Sequence, residues 1–486
     1  MHARWAWATA LAVVVACGPS DAPGDRAATE TRSALVTQAT PAAIVGMTNA
    51  LSTPAQRHVV RVEPPGHAPV HLMAVQNGGY SDHRPGLLWY RSDDGGATWR
   101  YYADVVAQPD PAVFSSSRSP STLHLTADLV AVGSDVAAVY SYDTTGSAFP
   151  ADGWDPQRKV YFQWWRFDGA DDWVAGPRVT VAAPASGQAY HRAEVARDGA
   201  GRLWVQAFLR RSGCSPVGSA SCVGDLLRVW VSTDGGESFQ GPQDLASLPN
   251  SLGGGRLISV GSQLLMLWAD HSSRPAQLMR RDDSDPLTQW RAKANAFADG
   301  TKIYHGAALS AAPDGSGGLH LVYKRWVADP DVHQLYYRHF DGTAFGAATK
   351  FDGAGDWATQ PAITATDDDL YVCVNHLVST NASYEMRSYR LSRGLGSWDV
   401  LDAQVKAKRY PAAPERAAAG DGAIPCAFGM GNDTWGAGHT VQVAQQPLPS
   451  GTAPAVAPAF SPLPGSYASA QTVSLSSATP GAAIFY

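Results

Sequence analysis

Two Tyr-His pairs, Tyr190-His191 and Tyr304-His305, stand at the head of β-rich runs in separate parts of the chain. Tyrosine and histidine together supply a proton donor and an acceptor. Two such pairs converging on one site could take the proton beside a uronate carboxylate, with an arginine neutralising that carboxylate. Repeated units also inherit similar residues whatever their use, so the duplication speaks first of a repeat. Glu194 opens the run Glu194-Val195-Ala196-Arg197-Asp198-Gly199, and Arg210 closes the run that follows the Asp-Gly turn. Asp82 lies in the loop Gly79-Tyr80-Ser81-Asp82-His83, and Arg61, Arg256 and Arg274 are further candidates to grip an anion. The clusters Asp367-Asp368-Asp369 and Asp282-Asp283 are turn acids, for which solvation is the ordinary fate. No phosphate-cradling, haem or nicotinamide motif occurs, and no cysteine spacing suits zinc, so no cofactor or metal is expected.

The elements that must position these residues are strands. The chain has 486 residues, 16 Trp, 18 Tyr, 47 Gly and 33 Pro, and no long amphipathic helical pattern. Aromatics with frequent turn residues suit many short strands joined by tight loops. The formal charge is −6, and no basic run interrupts the sequence. Nucleic acid is therefore not an expected partner, because phosphate binding needs a clustered positive field.

A repeated hairpin organises the strands. Ser92-Asp93-Asp94-Gly95-Gly96-Ala97-Thr98-Trp99 has the form Ser-x-Asp-x-Gly-x-Thr-Trp, and Ser232-Thr233-Asp234-Gly235-Gly236-Glu237-Ser238-Phe239 repeats it with Ser and Phe at its end. In each, Asp accepts backbone N–H groups, Gly permits positive φ and the terminal aromatic plugs between strands. Weaker copies end at Trp173, Trp290, Phe345 and Trp398, and a β-rich run precedes every copy. Six copies predict an all-β, six-bladed β-propeller with four-stranded blades. A seventh blade would need a cryptic unit, for instance around Cys426 to Trp435.

These boxes resemble the Asp-box repeats of the sialidase-like superfamily, over roughly residues 55–440. The resemblance implies a site at the mouth of the propeller, in which three Arg hold a substrate carboxylate, an Asp serves as acid/base and a Tyr paired with a Glu is the nucleophile. Carried over by position, these are Arg61, Arg210 and Arg274 (or else Arg256), Asp82, Tyr304 and Glu194, with His191 and His305 nearby. The family's Arg-Ile-Pro signature is replaced by Arg61-Val62-Glu63-Pro64, which carries an inserted acid.

Both ends of the chain carry other signals. Arg4 and the apolar stretch Trp5 to Ala16, too short to span a bilayer, read as an export signal over 1–17. Its end, Val14-Val15-Ala16-Cys17, resembles the bacterial lipobox, which implies lipidation of Cys17 and contact with a membrane through that anchor only. Residues 18–45 read as a flexible tether, 46–445 as the propeller and 446–459 as a Pro/Ala-rich linker. Residues 460–486 resemble the start of the small β-sandwich at the C-terminus of chitobiase-like glycoside hydrolases. Export permits disulfides, here Cys214 with Cys222 and Cys373 with Cys426, although Cys373 in its apolar run also suits a buried thiol.

The expectation is an exported protein of the bacterial cell envelope, a sialidase-like exo-glycoside hydrolase acting on glycans. A carbohydrate-binding propeller without catalysis and a polysaccharide lyase are the alternatives, which fold alone does not separate.

Overall fold

A computed structural model describes residues 36–37, 44–45, 51, 55–77, 86–107, 127–142, 159–186, 188–210, 224–248, 254–269, 275–303, 308–325, 334–350, 358–379, 383–392, 397–406, 409–418, 421–430, 440–448, 459–461 and 474–476. All lie in the compact unit Ser33–Tyr486.

The described strands form seven blades, which corrects the expected six. Blade 1 runs from its inner to its outer edge as β3 (Val59–Val62), β4 (Val70–Asn77), β5 (Gly86–Ser92) and β6 (Arg100–Ala107). Blade 2 holds β7 (Ala127–Val132), β8 (Asp135–Tyr142), β9 (Lys159–Phe167) and β10 (Trp173–Ala182), and blade 3 holds β11 (Ala189–Arg197), β12 (Leu203–Arg210), β13 (Asp225–Ser232) and β14 (Gln240–Ser247). Blade 4 is β15 (Gly254–Val260), β16 (Gln263–Ala269), β17 (Gln277–Asp282) and β18 (Ala294–Asn295). Blade 5 is β19 (Leu309–Pro313), β20 (Leu319–Arg325), β21 (Gln334–Phe340) and β22 (Thr349–Lys350). Blade 6 is β23 (Ala358–Ala365), β24 (Asp369–Ser379), β25 (Ser383–Ser392) and β26 (Ser397–Lys406).

Blade 7 is built from both ends of the chain. Its inner strands are β27 (Arg409–Ala412), β28 (Ala423–Met430) and β29 (Thr440–Pro447). Its outer edge comes from β1 (Val36–Thr37) and β2 (Ile44–Val45), both paired antiparallel with β29. These two strands lie within the segment read as tether. Pairing the last strand with segments near the start of the chain covers the outer side of β29 and completes blade 7. Beyond the ring, β30 (Ala459–Ser461) pairs with β31 (Ser474–Ser476).

The core is a set of wedges between neighbouring blades, and the hairpin aromatics fill them. Trp99 of blade 1 packs with Ala427, Val441 and Val443 of blade 7, and Trp173 of blade 2 packs with Trp89 and Val105 of blade 1. Phe239, Trp290, Phe345 and Trp398 do the same for the next four junctions. At the junction of blades 6 and 7, Met386 and Phe428 pack around the disulfide Cys373–Cys426. Blade 7 thus escaped a count of hairpins for a physical reason. Its junction is held by a covalent bond and Phe428, and part of it lies at the other end of the sequence.

The Asp-boxes close as their residues require. Ser92 Oγ donates to Asp94 Oδ1 (2.8 Å) and accepts from Gly96 N (2.8 Å), while Thr98 N donates to Asp94 Oδ1 (2.8 Å). Gly96 has φ 88°, and a Cβ there would come within 2.4 Å of Pro425 in blade 7. Ser232, Asp234 and Gly236 repeat the pattern in blade 3. Because strands alternate in direction, the turns joining first to second and third to fourth strands share one face, termed here the Asp-box face. The opposite face carries the starts of the inner strands and the ends of the second strands.

Candidate functional site

At the opposite face, three strands of blade 3 bring several candidates together. Register sets Arg210, the last residue of β12, between Ala189 of β11 and Asp225 of β13. Two residues along β11, His191 Nε2 lies 3.0 Å from Asp225 Oδ2, with its ring stacked on Phe208. Tyr190 OH accepts a hydrogen bond from Arg228 Nη1 (3.1 Å). Tyr190, His191, Arg210 and Asp225 are all buried. A carboxylate on one ring nitrogen fixes the orientation and tautomer of a histidine, the usual device for a group that carries a proton.

A β-bulge separates this cluster from Glu194. Between His191, opposite Phe208, and Glu194, opposite Gln206, β11 holds one residue more than β12. The extra residue places Arg192 at φ 51°, a conformation costly for a side chain with Cβ, and Gln206 Nε2 donates to its carbonyl (2.9 Å). The bulge shifts the alternation of the strand so that Glu194 shares a sheet face with Arg210, but Glu194 stands opposite Gln206, four residues from Arg210 along β12, and the two do not meet. They were expected to meet because they flank an Asp-Gly turn, but Glu194 lies partway along its strand whereas Arg210 ends its own.

Glu194 belongs instead to an ion network that fills the centre of the ring. The chain enters β3 through Gln56-Arg57-His58, and all three side chains are buried. Arg57 Nε donates to Asp128 Oδ1 (2.9 Å) and its Nη2 to Asp128 Oδ2, while Asp128 also accepts from Arg57 N (2.6 Å) and Val195 N (2.9 Å). Arg256 donates to the Ala55 carbonyl (2.5 Å) and to Glu415 Oε1, and lies 3.4 Å from Asp128 Oδ1. Thus blades 1, 2, 3, 4 and 7 meet through two guanidinium groups and two carboxylates.

The same network sets the protonation of Glu194. Its Oε2 accepts from Leu257 N (2.7 Å). Burial pushes its carboxyl up to about 8; Arg256 opposes this and Asp128 adds to it. Burial acts on Asp128 in the same direction, yet Arg57 and Arg256 hold it below the usual carboxylate range. With Glu194 neutral at pH 7, two positive charges balance two negative ones. A neutral, hydrogen-bonded Glu194 is poorly suited to accept a phenol proton.

The remaining candidates are spread out. Arg61, near the end of β3, is engaged with Glu63 and with Asp421 (2.6 Å) toward the Asp-box face. Tyr304, His305, Asp82, Arg274, Cys17, Cys214 and Cys222 lie outside the described residues. Sequence reasoning missed Arg57, Asp128, Asp225 and Glu415. The signal for Asp128 and Glu415 was a lone acid in or beside a short apolar inner strand, where an unpaired charge would be costly.

No protein-family model matches the sequence, and no curated protein matches it. Solved structures do resemble the chain. A protein of unknown function from Dyadobacter fermentans is 11% identical over 83% of this chain and 97% of its own, with a TM-score of 0.44. The α-L-arabinofuranosidase of Fusarium graminearum, in complex with an iminosugar inhibitor, is 13% identical over 86% and 99%, with a TM-score of 0.45. The sialidase of Trypanosoma rangeli, in complex with the inhibitor DANA, is 11% identical over 74% and 59%, with a TM-score of 0.44. The chain is a β-propeller with distant neighbours among glycoside hydrolases.

Proposed function

We propose that this protein acts on acidic glycans at the face opposite the Asp-boxes, as a sialidase-like exo-glycoside hydrolase. The observation that carries this reading is the cluster at the end of blade 3, where His191 and Arg210 flank Asp225 on one face of the sheet. A guanidinium suits the carboxylate of an acidic sugar, and an oriented histidine beside it suits proton transfer at the same sugar. In the hydrolytic scheme Tyr304 is the nucleophile, His191, oriented by Asp225, takes its phenol proton, and Asp82 is the acid that protonates the departing sugar oxygen. Glu194, protonated at neutral pH, acts as a structural group rather than as the partner of Tyr304. The protein works at the bacterial cell envelope after export, held there by a lipid on Cys17.

A polysaccharide lyase is the second reading, favoured by the His191–Asp225 pair. In that scheme His191 takes the proton beside a uronate carboxylate while Arg210 neutralises its charge. One assay pair decides. Hydrolysis predicts release of sialic acid from a fluorogenic sialoside, lost in Tyr304→Phe and weakened in Arg210→Ala. Elimination predicts new unsaturated-uronate absorbance, lost in His191→Ala. If neither product forms while acidic glycans bind, both catalytic readings fail and a glycan-binding module remains.

A further inference from the structure

The centre of the ring is closed, and a separate cavity opens on the other side of the closure. On the side of Ala55, Gln56, Ser310 and Pro411 the ion pairs leave a void of about 10 Å³, room for no more than a water. On the Asp-box face they form the floor of a cavity of about 550 Å³, within the range of small-molecule sites. We propose that this cavity binds a neutral saccharide, at a second site distinct from the face assigned above to acidic glycans. The inference does not rest on that assignment.

The floor presents a donor and an acceptor with capacity to spare. Arg57 spends its Nε and Nη2 on Asp128 and Val195, and its Nη1 meets Glu415 Oε2 only at 3.7 Å, beyond hydrogen-bond range. Glu415 Oε1 is taken by Arg256, which leaves Oε2 facing that gap. A guanidinium N–H and a carboxylate oxygen side by side match neighbouring hydroxyls, one accepting and the other donating. Val130, half-buried, and Ala131, exposed, both on β7, provide apolar surface for the C–H face of a sugar ring.

Charge balance selects a neutral ligand. The lining holds three guanidinium groups (Arg57, Arg61, Arg416) and three carboxylates (Glu63, Asp367, Glu415). They are already matched: Arg61 with Glu63, Arg416 with Asp367 (3.2 Å) and Arg57 with Glu415. A charged ligand would have to break one of these pairs, leaving a partner uncompensated. A hydroxyl-bearing molecule bridging Arg57 and Glu415 leaves all three in place.

Calorimetric titration of the full chain with cellobiose tests the proposal, with cellobionic acid as a probe of similar size carrying one carboxylate. Cellobiose should bind saturably, and cellobionic acid about tenfold more weakly or less. Ala131→Trp fills the cavity from an exposed position on its wall without touching the ion pairs. It should abolish cellobiose binding, with melting temperature and behaviour toward acidic glycans unchanged. Glu415→Gln should weaken cellobiose about tenfold, the scale of one charge-assisted hydrogen bond. No saturable binding of cellobiose by the wild type, unchanged binding by Ala131→Trp, or equal binding of the two probes would each overturn the proposal.

Discussion

Replacing Glu194 with glutamine isolates the protonation on which the charge balance of the ring depends. The glutamine keeps the side-chain shape and an oxygen to accept from Leu257 N, but it cannot ionise. In the unfolded chain the carboxyl titrates near its ordinary value of 4.5, and in the folded protein at about 8. Below pH 4.5 it is protonated in both states and folding carries no penalty. Between these values the unfolded chain releases a proton that the folded protein retains, so wild-type stability falls as pH rises. Above about 8 the loss is complete. At about 1.4 kcal/mol for each tenfold change in the proton equilibrium, the loss is on the order of 5 kcal/mol. Urea unfolding of both proteins at several pH values from 4 to 9 measures it. The glutamine variant should match the wild type at the acid end and gain several kcal/mol on it at the alkaline end. A stability difference that stays flat across this range would refute the reasoning, because it would mean that Glu194 titrates in the folded protein as it does in the unfolded one.

Three other perturbations follow from the same packing. Trp99→Ala empties the wedge between blades 7 and 1 and should cost about 3–5 kcal/mol in denaturant unfolding. Asp128→Asn leaves the buried Arg57 and Arg256 short of a negative charge and should destabilise by about 3–5 kcal/mol. The double variant Cys373→Ser with Cys426→Ser should lower stability by about 2–4 kcal/mol, and reductant should then no longer shift its melting temperature.

Much of the fold was legible because its information is local. Ser92, Asp94, Gly96 and Thr98 make their turn with one another, so eight consecutive residues declare a hairpin wherever they occur. The plugging aromatics could be picked out for a related reason. Each sits at a fixed place in its hairpin and fills the wedge toward the preceding blade, as Trp173 does against Trp89 and Val105. Blade 7 has no such local sign. Its outer strands, Val36–Thr37 and Ile44–Val45, lie some four hundred residues from the strand they pair with. The pairing of Cys373 with Cys426 was expected from the sequence, and the structure sets it at the junction of blades 6 and 7.

By itself, the sequence determined that the chain is all-β, that blades repeat around Asp-box turns, and that blade 3 carries Tyr190, His191 and Arg210 on consecutive strands. The tertiary structure decided which charges meet. Arg57, Asp128, Arg256 and Glu415 come from four blades, and no spacing along the chain relates them. The bulge at Arg192 then set the face on which Glu194 projects, toward Leu257 of blade 4 and that network. The reason is physical: a turn is specified by residues that touch their sequence neighbours, whereas a buried ion network is specified by the low-dielectric space that distant strands enclose.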